Sequence, residues 1–308
     1  MKLVFILNKT AGNGKGLRMW EAIKEKLTVP YDLYVTGYPE HAYRLTCQLA
    51  EQAAKEKQYV LLIVIGGDGT IHEVVNGCAD CEFLLLSSIP AGSGNDFARG
   101  FQAFRQVTEI EAYLQNPEIE HVDLGQVEYT GKQSFINNCG VGFDAFVGVK
   151  ANHSEIKKWL NQLGIGKLAY VYYAILGLAS FKPFSLSVSC DEKIYKFDRV
   201  WLATISNQPY FGGGMKISPS SSTNDGKLEV TIVHNLSRIK FLLMFLSVFW
   251  GGHTRIKGVE QMTGERFTLR YDRALPCHAD GEDLSNHTLQ LHAIVQNASL
   301  KIAKIVPC

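Results

Sequence analysis

Val60-Leu61-Leu62-Ile63-Val64-Ile65-Gly66-Gly67-Asp68-Gly69-Thr70 is the stretch whose reading decides the fold. Six apolar residues, four of them β-branched, run directly into three glycines around one carboxylate. A helical pattern follows at Ile71-His72-Glu73-Val74-Val75-Asn76. A fully apolar strand of this kind belongs inside a parallel sheet covered on both faces. The Gly-Gly-Asp-Gly-Thr tip leaves backbone N–H groups bare and aims a helix N-terminus at the same spot, which suits phosphate. Asp68 has no use in attracting an anion, so it is expected to face a cation or a proton. That combination points to phosphoryl transfer rather than passive binding.

Working outward, the first 120 or so residues alternate apolar runs with amphipathic patterns. Strands are expected at Lys2–Leu7, Tyr31–Thr36, Tyr59–Ile65 and Phe83–Ile89, and helices at Gly16–Leu27, His41–Lys57 and Ile71–Cys78. Ligands of such sheets bind beyond the carboxyl ends of the strands. Three Gly-rich segments fall there: Asn8-Lys9-Thr10-Ala11-Gly12-Asn13-Gly14-Lys15-Gly16, Gly66–Thr70, and Pro90-Ala91-Gly92-Ser93-Gly94-Asn95-Asp96. One such loop would be ordinary turn chemistry; three at one edge are not.

The first of these loops is neither a Walker A sequence, since Gly16 stands where a hydroxyl residue is required, nor GxGxxG, since its glycines fall at 12, 14 and 16. Lys15 is its candidate phosphate cation, the alternative being a solvated loop lysine. In the third loop Ser93 can offer a hydroxyl. Asn95 and Asp96 can serve a metal, cap the helix running on through Phe97-Ala98-Arg99, or do both.

From about Val122 the pattern changes to short strands with turns between them, as expected of an antiparallel sandwich. The segments are Gly125–Tyr129, Ser134–Cys139, Ser185–Cys190, Val200–Ser206, Leu228–Val233, Arg266–Tyr271 and Thr288–His292, with helical interruptions at Leu168–Phe181 and Ile239–Trp250. Two acidic turns stand out. His278-Ala279-Asp280-Gly281-Glu282-Asp283 reads as a hairpin turn crowded with carboxylates. Their mutual repulsion would raise one pKa and suit it to accept a proton from a hydroxyl. Ser222-Thr223-Asn224-Asp225-Gly226-Lys227 is a turn whose Asp and carbonyls could also hold a hard cation such as Mg2+.

Bulk properties exclude several classes. The 31 Lys and Arg nearly balance 30 Asp and Glu, so no overall field recruits nucleic acid or an anionic membrane. Seven scattered cysteines argue for a reducing compartment, and Cys78-Ala79-Asp80-Cys81 is a lone CxxC with no second pair. The longest apolar run, Phe241 to Trp250, is about half the roughly 20 residues a membrane-spanning helix needs. With no signal-peptide pattern at the N-terminus, the expected location is cytoplasmic.

These motifs, in this order, resemble the diacylglycerol kinase catalytic-domain family, in its bacterial soluble lipid-kinase branch, related to sphingosine kinases and more distantly to NAD kinases. The resemblance rests on Asn8–Gly14, Gly66–Thr70, Gly94-Asn95-Asp96-Phe97-Ala98 and Val122-Asp123-Leu124-Gly125. It continues in Asn138-Cys139-Gly140-Val141-Gly142-Phe143-Asp144, Asn224-Asp225-Gly226-Lys227-Leu228 and Asp280-Gly281-Glu282. It implies an α/β nucleotide-binding domain with an NAD-kinase-like parallel sheet at 1–122, and a β-sandwich acceptor domain at 123–295. The last strand, about 296–308, returns to the first domain or its boundary, and the active site lies in the interdomain cleft.

By the same resemblance ATP is held by Asn8, Lys9, Thr10, Ala11, Gly12, Lys15, Thr36, Gly66, Gly67, Asp68, Gly69, Thr70, Ile71, Ser93, Asn95 and Asp96. Glu282 is the base on a lipid hydroxyl, and Asp68 serves catalytic Mg2+, supported by Asp96 and Asp123. A structural Mg2+ is implied at Asp225 with the carbonyls of Ser222 and Lys227. Two departures are mild: many relatives carry Pro at the position of Lys9 and Thr at that of Ser93.

The implied reaction is ATP- and Mg2+-dependent phosphorylation of diacylglycerol or a related lipid alcohol. The alternatives are a kinase of a soluble acceptor such as NAD, or a nucleotide-sensing lipid-binding protein without activity. Transient peripheral membrane contact is expected, and a homodimer stays open. The helices at 168–181 and 239–250 read either as core or as lipid-contacting, with Lys157, Lys158, Arg238 and Lys240 placed for anionic headgroups.

Overall fold

The computed structural model describes residues 1–128, 131–152, 167–284 and 289–305. The chain divides into two units, Met1–Leu124 with Asn297–Cys308, and Gly125–Gln296.

In the first unit, β1 (Lys2–Leu7), α1 (Ala11–Lys24), β2 (Asp32–Val35), α2 (His41–Glu56), β3 (Val60–Gly66), α3 (Asp68–Cys78) and β4 (Leu84–Pro90) alternate strictly. The short α4 (Asp96–Gly100), α5 (Val107–Gln115) and the start of β5 (Ile119–Glu128) follow. The strands lie in the order β2-β1-β3-β4, all parallel. β1 from Leu3 onward and all of β3 are buried, which explains why their sequences are apolar without alternation. α2 buries Ala42, Thr46, Leu49 and Ala53, one stripe at helical spacing. Trp20 of α1 closes the other face, its ring 5.2 Å from that of Phe5.

The second unit comprises β6 (Lys132–Phe135), β7 (Asn138–Gly142), α6 (Phe143–Asn152), α7 (Lys167–Ser180), β8 (Phe184–Cys190) and β9 (Lys193–Ser206). A small pair, β10 (Tyr210–Phe211) and β11 (Met215–Lys216), precedes β12 (Leu228–His234) and α8 (Arg238–Ser247). Two short 3-10 turns lead into β13 (Val259–Gly264), β14 (Arg266–Tyr271), β15 (Cys277–Ala279), β16 (Glu282–Asp283) and the long β17 (Gln290–Ala303). Pairing is antiparallel and branches at β9, which meets β7, β8 and β12. Alternating buried positions such as Phe184, Leu186 and Val188 face a core built around Trp201 and Phe241.

Several elements differ from the sequence reading. α1 begins at Ala11, not Gly16, but Gly12, Asn13 and Gly14 are left-handed, so the regular helix starts only at Lys15. The expected single strand Ser134–Cys139 is two strands, interrupted at Ile136 and Asn137, whose N–H groups are taken by a side chain from elsewhere in this unit. The separate strands expected at Thr288–His292 and toward Val306 are one, β17, carrying a kink where Ala298 has φ +50°. Its last part enters the first unit, where Ile302 pairs parallel with Leu86. The helix α6 was not anticipated; it starts at Phe143-Asp144, directly after Gly142. Tyr129, Lys157, Lys158, Thr288 and Val306 lie outside the described residues.

Candidate active site

The parallel register aligns Leu7 with Ile65, and Gly66 with Pro90, so three loops leave the same edge of the sheet. Two glycines set how closely they approach. Gly12 has φ +54°, and a Cβ there would fall 2.1 Å from the Ala91 carbonyl oxygen. A Cβ on Gly92 would fall 2.5 Å from the Gly67 Cα. The first loop is therefore pressed on the third, and the third on the second. Any larger residue forces the backbones apart.

Side chains lock the same arrangement. Asn8 Nδ2 donates to Thr70 Oγ1 at 3.0 Å, and Asn8 Oδ1 accepts from the Thr10 N–H and hydroxyl at 3.1 and 2.9 Å. Asn8 thus ties the first loop to the first turn of α3. That turn starts at Asp68, and its first intrahelical bond runs from the Ile71 N–H to the Gly67 carbonyl. The amides of 68–70 precede that ladder, which gives the turn its partial positive charge. Lys9, Thr10, Lys15 and Ser93 are exposed around it, and Ala11, Gly12, Gly67 and Gly69 are partly exposed. Ile71 is buried as part of the core. Thr36 closes β2, its N–H bonded to the Leu7 carbonyl at 2.9 Å.

Asp68 is partly buried, and its Oδ1 accepts the Phe97 N–H at 3.2 Å. The cap of α4 therefore comes from Asp68. Asn95, read with Asp96 as a cap or a metal ligand, is left-handed and closes its own loop: its Oδ1 takes the Gly92 N–H at 2.8 Å and its Nδ2 reaches the Gly92 carbonyl at 2.9 Å. Burial first, and then the charge of Asp96, push the Asp68 carboxyl up to about 6, against the pull of the backbone amides of 95–97. Asp96 is buried, with Arg99 Nε 3.8 Å from its carboxylate.

Asp68 and Asp96, near enough for one charge to act on the other, lie beside the amides that precede the α3 ladder, and this donor set fits Mg2+. That ion takes one or two carboxylates and fills its remaining positions with phosphate and water. Among the described residues no group of three or more His, Cys, Asp and Glu side chains could form an all-protein cage. Asp123, expected in the same network, is buried, and its Oδ1 accepts the Ala298 N–H at 2.7 Å, bracing the kink of β17.

In the second unit the hairpin is present: β15 pairs with β16 through Asp280 and Gly281, both at positive φ. Its carboxylates do not form the one crowded cluster read from the sequence. Asp280 is buried and accepts the N–H groups of Ile136, Asn137 and Asn138 at 3.0, 2.8 and 3.1 Å, whereas Glu282 and Asp283 are exposed.

Sequence reading missed what lies beneath this turn. His278 is buried, accepts the Gly281 N–H at Nδ1, and places Nε2 3.2 Å from Asp144 Oδ2, which also receives the Thr204 hydroxyl at 2.8 Å. The Phe211 ring stacks on it at 5.0 Å. No local signal joins residues 134 apart in sequence. Asp225 is exposed and accepts the Lys227 N–H at 3.0 Å, an ordinary Asx turn; Ser222 donates to Asn224 at 2.7 Å. Cys78 and Cys81 are not disulfide-bonded, and burial pushes the Cys78 thiol well up, so it is unreactive.

Comparison with known proteins matches residues 2–127 to the diacylglycerol kinase catalytic domain. Residues 137–303 match the YegS C-terminal NAD kinase beta sandwich-like domain. The chain is 35% identical over 296 residues to "Putative lipid kinase YtlR" of Bacillus subtilis (strain 168), covering 93% of this chain and 95% of that one. It is 30% identical to a diacylglycerol kinase of the same organism, over 80% of each. A crystal structure of "a putative diacylglycerol kinase from Bacillus anthracis str. Sterne" shares the fold with a TM-score of 0.74 at 20% identity, covering 98% of this chain and 97% of that one. The chain belongs to the diacylglycerol kinase catalytic-domain family, and is an enzyme of the lipid-kinase class. Among the described residues, no helix is long and apolar enough to cross a membrane.

Proposed function

We propose that this protein transfers the γ-phosphoryl group of ATP to the hydroxyl of a lipid alcohol, diacylglycerol or a close relative, giving the phosphorylated lipid and ADP. The observation that carries the reading is the convergence of three glycine loops on the first turn of α3, with Asp68 and Asp96 at its rim. Phosphoryl transfer asks for in-line positioning and neutralised charge, with little covalent work from the protein. The loop amides and the start of α3 would hold the phosphates, with Lys15 and Lys9 as neighbouring cations. Asp68 and Asp96 would hold Mg2+, which when bound offsets negative charge on the phosphoryl oxygens.

Glu282 is assigned as the base that takes the acceptor's proton. Its exposure leaves the carboxylate accessible, while Asp280 and His278 fix the turn that carries it. Asp225, with the carbonyls of Ser222 and Lys227, is assigned a structural Mg2+ on the strength of the family resemblance.

The test is a parallel acceptor panel with labelled ATP and Mg2+, using diacylglycerol, phosphatidylglycerol, sphingosine, ceramide and NAD. Label in one of the lipids is expected. Label in NAD alone overturns the lipid reading, and ATP binding without transfer to any acceptor makes the protein a nucleotide-responsive carrier.

A further inference from the structure

Helix α8 is apolar on two sides, and only one of them is used. Phe241, Met244 and Val248 are buried, and the Phe241 ring lies 4.6 Å from that of Trp201 and 5.0 Å from that of Phe143. On the opposite side Ile239, Leu242, Leu243, Leu246, Phe249 and Trp250 recur at helical spacing and are exposed, Ile239 at 73% and Trp250 at 69%. A helix apolar all round belongs inside a protein or in contact with lipid. A contiguous exposed patch of this kind marks an interaction surface.

The patch is held firmly. Ser237 caps the helix, its Oγ accepting the Lys240 N–H, and Arg238 Nε donates to the Leu178 carbonyl at 2.8 Å. That bond brings in the end of α7, where Ile175 and Leu176 are 59% and 48% exposed. Charge selects the occupant. Between Leu236 and Gly258 there are four cations, Arg238, Lys240, Arg255 and Lys257, and no Asp or Glu. A second copy of the chain would bring the same cations against them. An anionic bilayer offers both the apolar interior and the opposite charge. Trp250, at the end of the helix, is the residue type favoured at a bilayer's polar boundary.

We propose that the outward face of α8, with Phe249 and Trp250, docks in the surface of a bilayer containing anionic phospholipid, lying along the interface rather than crossing it. This rests on the lipid-acceptor reading for its purpose: a membrane-resident acceptor is reached by a kinase seated on that membrane. It can be tested without turnover.

The experiment is co-sedimentation of the full chain, without ATP, on vesicles of phosphatidylcholine alone and of phosphatidylcholine with phosphatidylglycerol. Wild type is expected to bind the anionic vesicles. Leu243→Ser with Leu246→Ser and Trp250→Ala should lower its partitioning about tenfold or more, since its anchor is buried apolar area. Lys240→Glu with Lys257→Glu should weaken it by about fivefold or more on anionic vesicles only. Trp250→Ala alone guards against a folding defect in the triple variant, and each should melt as wild type does.

Wild type that stays in the supernatant, or a triple variant that sediments as wild type does, overturns the proposal. So does a wild-type dimer that the triple variant converts to monomer, which would make the face a self-interface. Acceptor assays separate the two readings: reduced vesicle binding by the variants, with no lipid phosphorylated by wild type, leaves the docking surface standing and removes the lipid-acceptor reading.

Discussion

Two Asp-Gly pairs, Asp68-Gly69 and Asp280-Gly281, look alike in the sequence and are opposite in the structure. Asp280 turns inward at a hairpin and accepts three backbone N–H groups of one loop. Asp68 opens a helix, partly buried beside a second carboxylate, with its acidity weakened by burial and by Asp96. The first holds a fold together through the bonds it accepts. The second is an anion held where it is electrostatically unfavourable, and groups kept in such a state cluster at functional sites because chemistry or a bound cation makes use of them. The contrast marks Asp280 as a structural carboxylate and supports the role proposed for Asp68, with Glu282, beside Asp280 but exposed, as the second unit's candidate for chemistry.

The contrast is broken most directly at Asp280. Asp280→Ala would leave three N–H donors of the 136–138 loop without their acceptor, and each buried unmade bond costs about 1–3 kcal/mol. A destabilisation of about 3 kcal/mol or more in denaturant unfolding is expected. A variant as stable as wild type would mean that the loop finds other partners and that the inward carboxylate is not what holds it.

Glu282→Gln tests the other half of the hairpin. Loss of a general base costs on the order of 10²-fold in turnover. Because Glu282 is exposed, stability and ATP affinity should not move. Unaltered turnover would remove Glu282 from the mechanism. A loss of stability equal to that of Asp280→Ala would turn the whole hairpin into a structural element.

The sequence carried some of this and not the rest, for physical reasons. β3 declares itself because a strand buried on both faces is apolar along its length, and Gly66–Thr70 because a glycine-rich run ends that apolar pattern. The start of α1 does not, since Gly12, Asn13 and Gly14 reverse the backbone within a run that otherwise reads as loop. The inward aim of Asp280 depends on contacts more than 140 residues away, and the His278–Asp144 pair on a separation of 134. Composition along α8 shows an apolar helix, but only packing tells that Phe241 and Met244 are covered while Leu243 and Leu246 are not. Asn95 shows the same limit on a smaller scale: its type predicts a helix cap, and its left-handed backbone hands that task to Asp68.

The smallest expected effect carries the sharpest sign. The carboxyl of Asp68, ordinarily near 3.8, is raised to about 6 in the folded chain. The folded state therefore holds its proton more tightly than the unfolded one. The favourable contribution is complete below about pH 4 and is lost as pH rises through about 6. Asp68→Asn keeps an oxygen to accept the Phe97 N–H and does not ionise. In the absence of Mg2+ the variant should match wild type near pH 4 and exceed it above pH 6, by on the order of 1–2 kcal/mol. Mg2+ with ATP should narrow that gap for wild type alone, because a cation favours the ionised carboxylate. Thermal unfolding of both proteins across this pH range measures it. A variant less stable than wild type at pH 8 without Mg2+ would mean that the bonds Asp68 accepts outweigh its burial, as a purely structural carboxylate's do, and the distinction between the two Asp-Gly pairs would collapse.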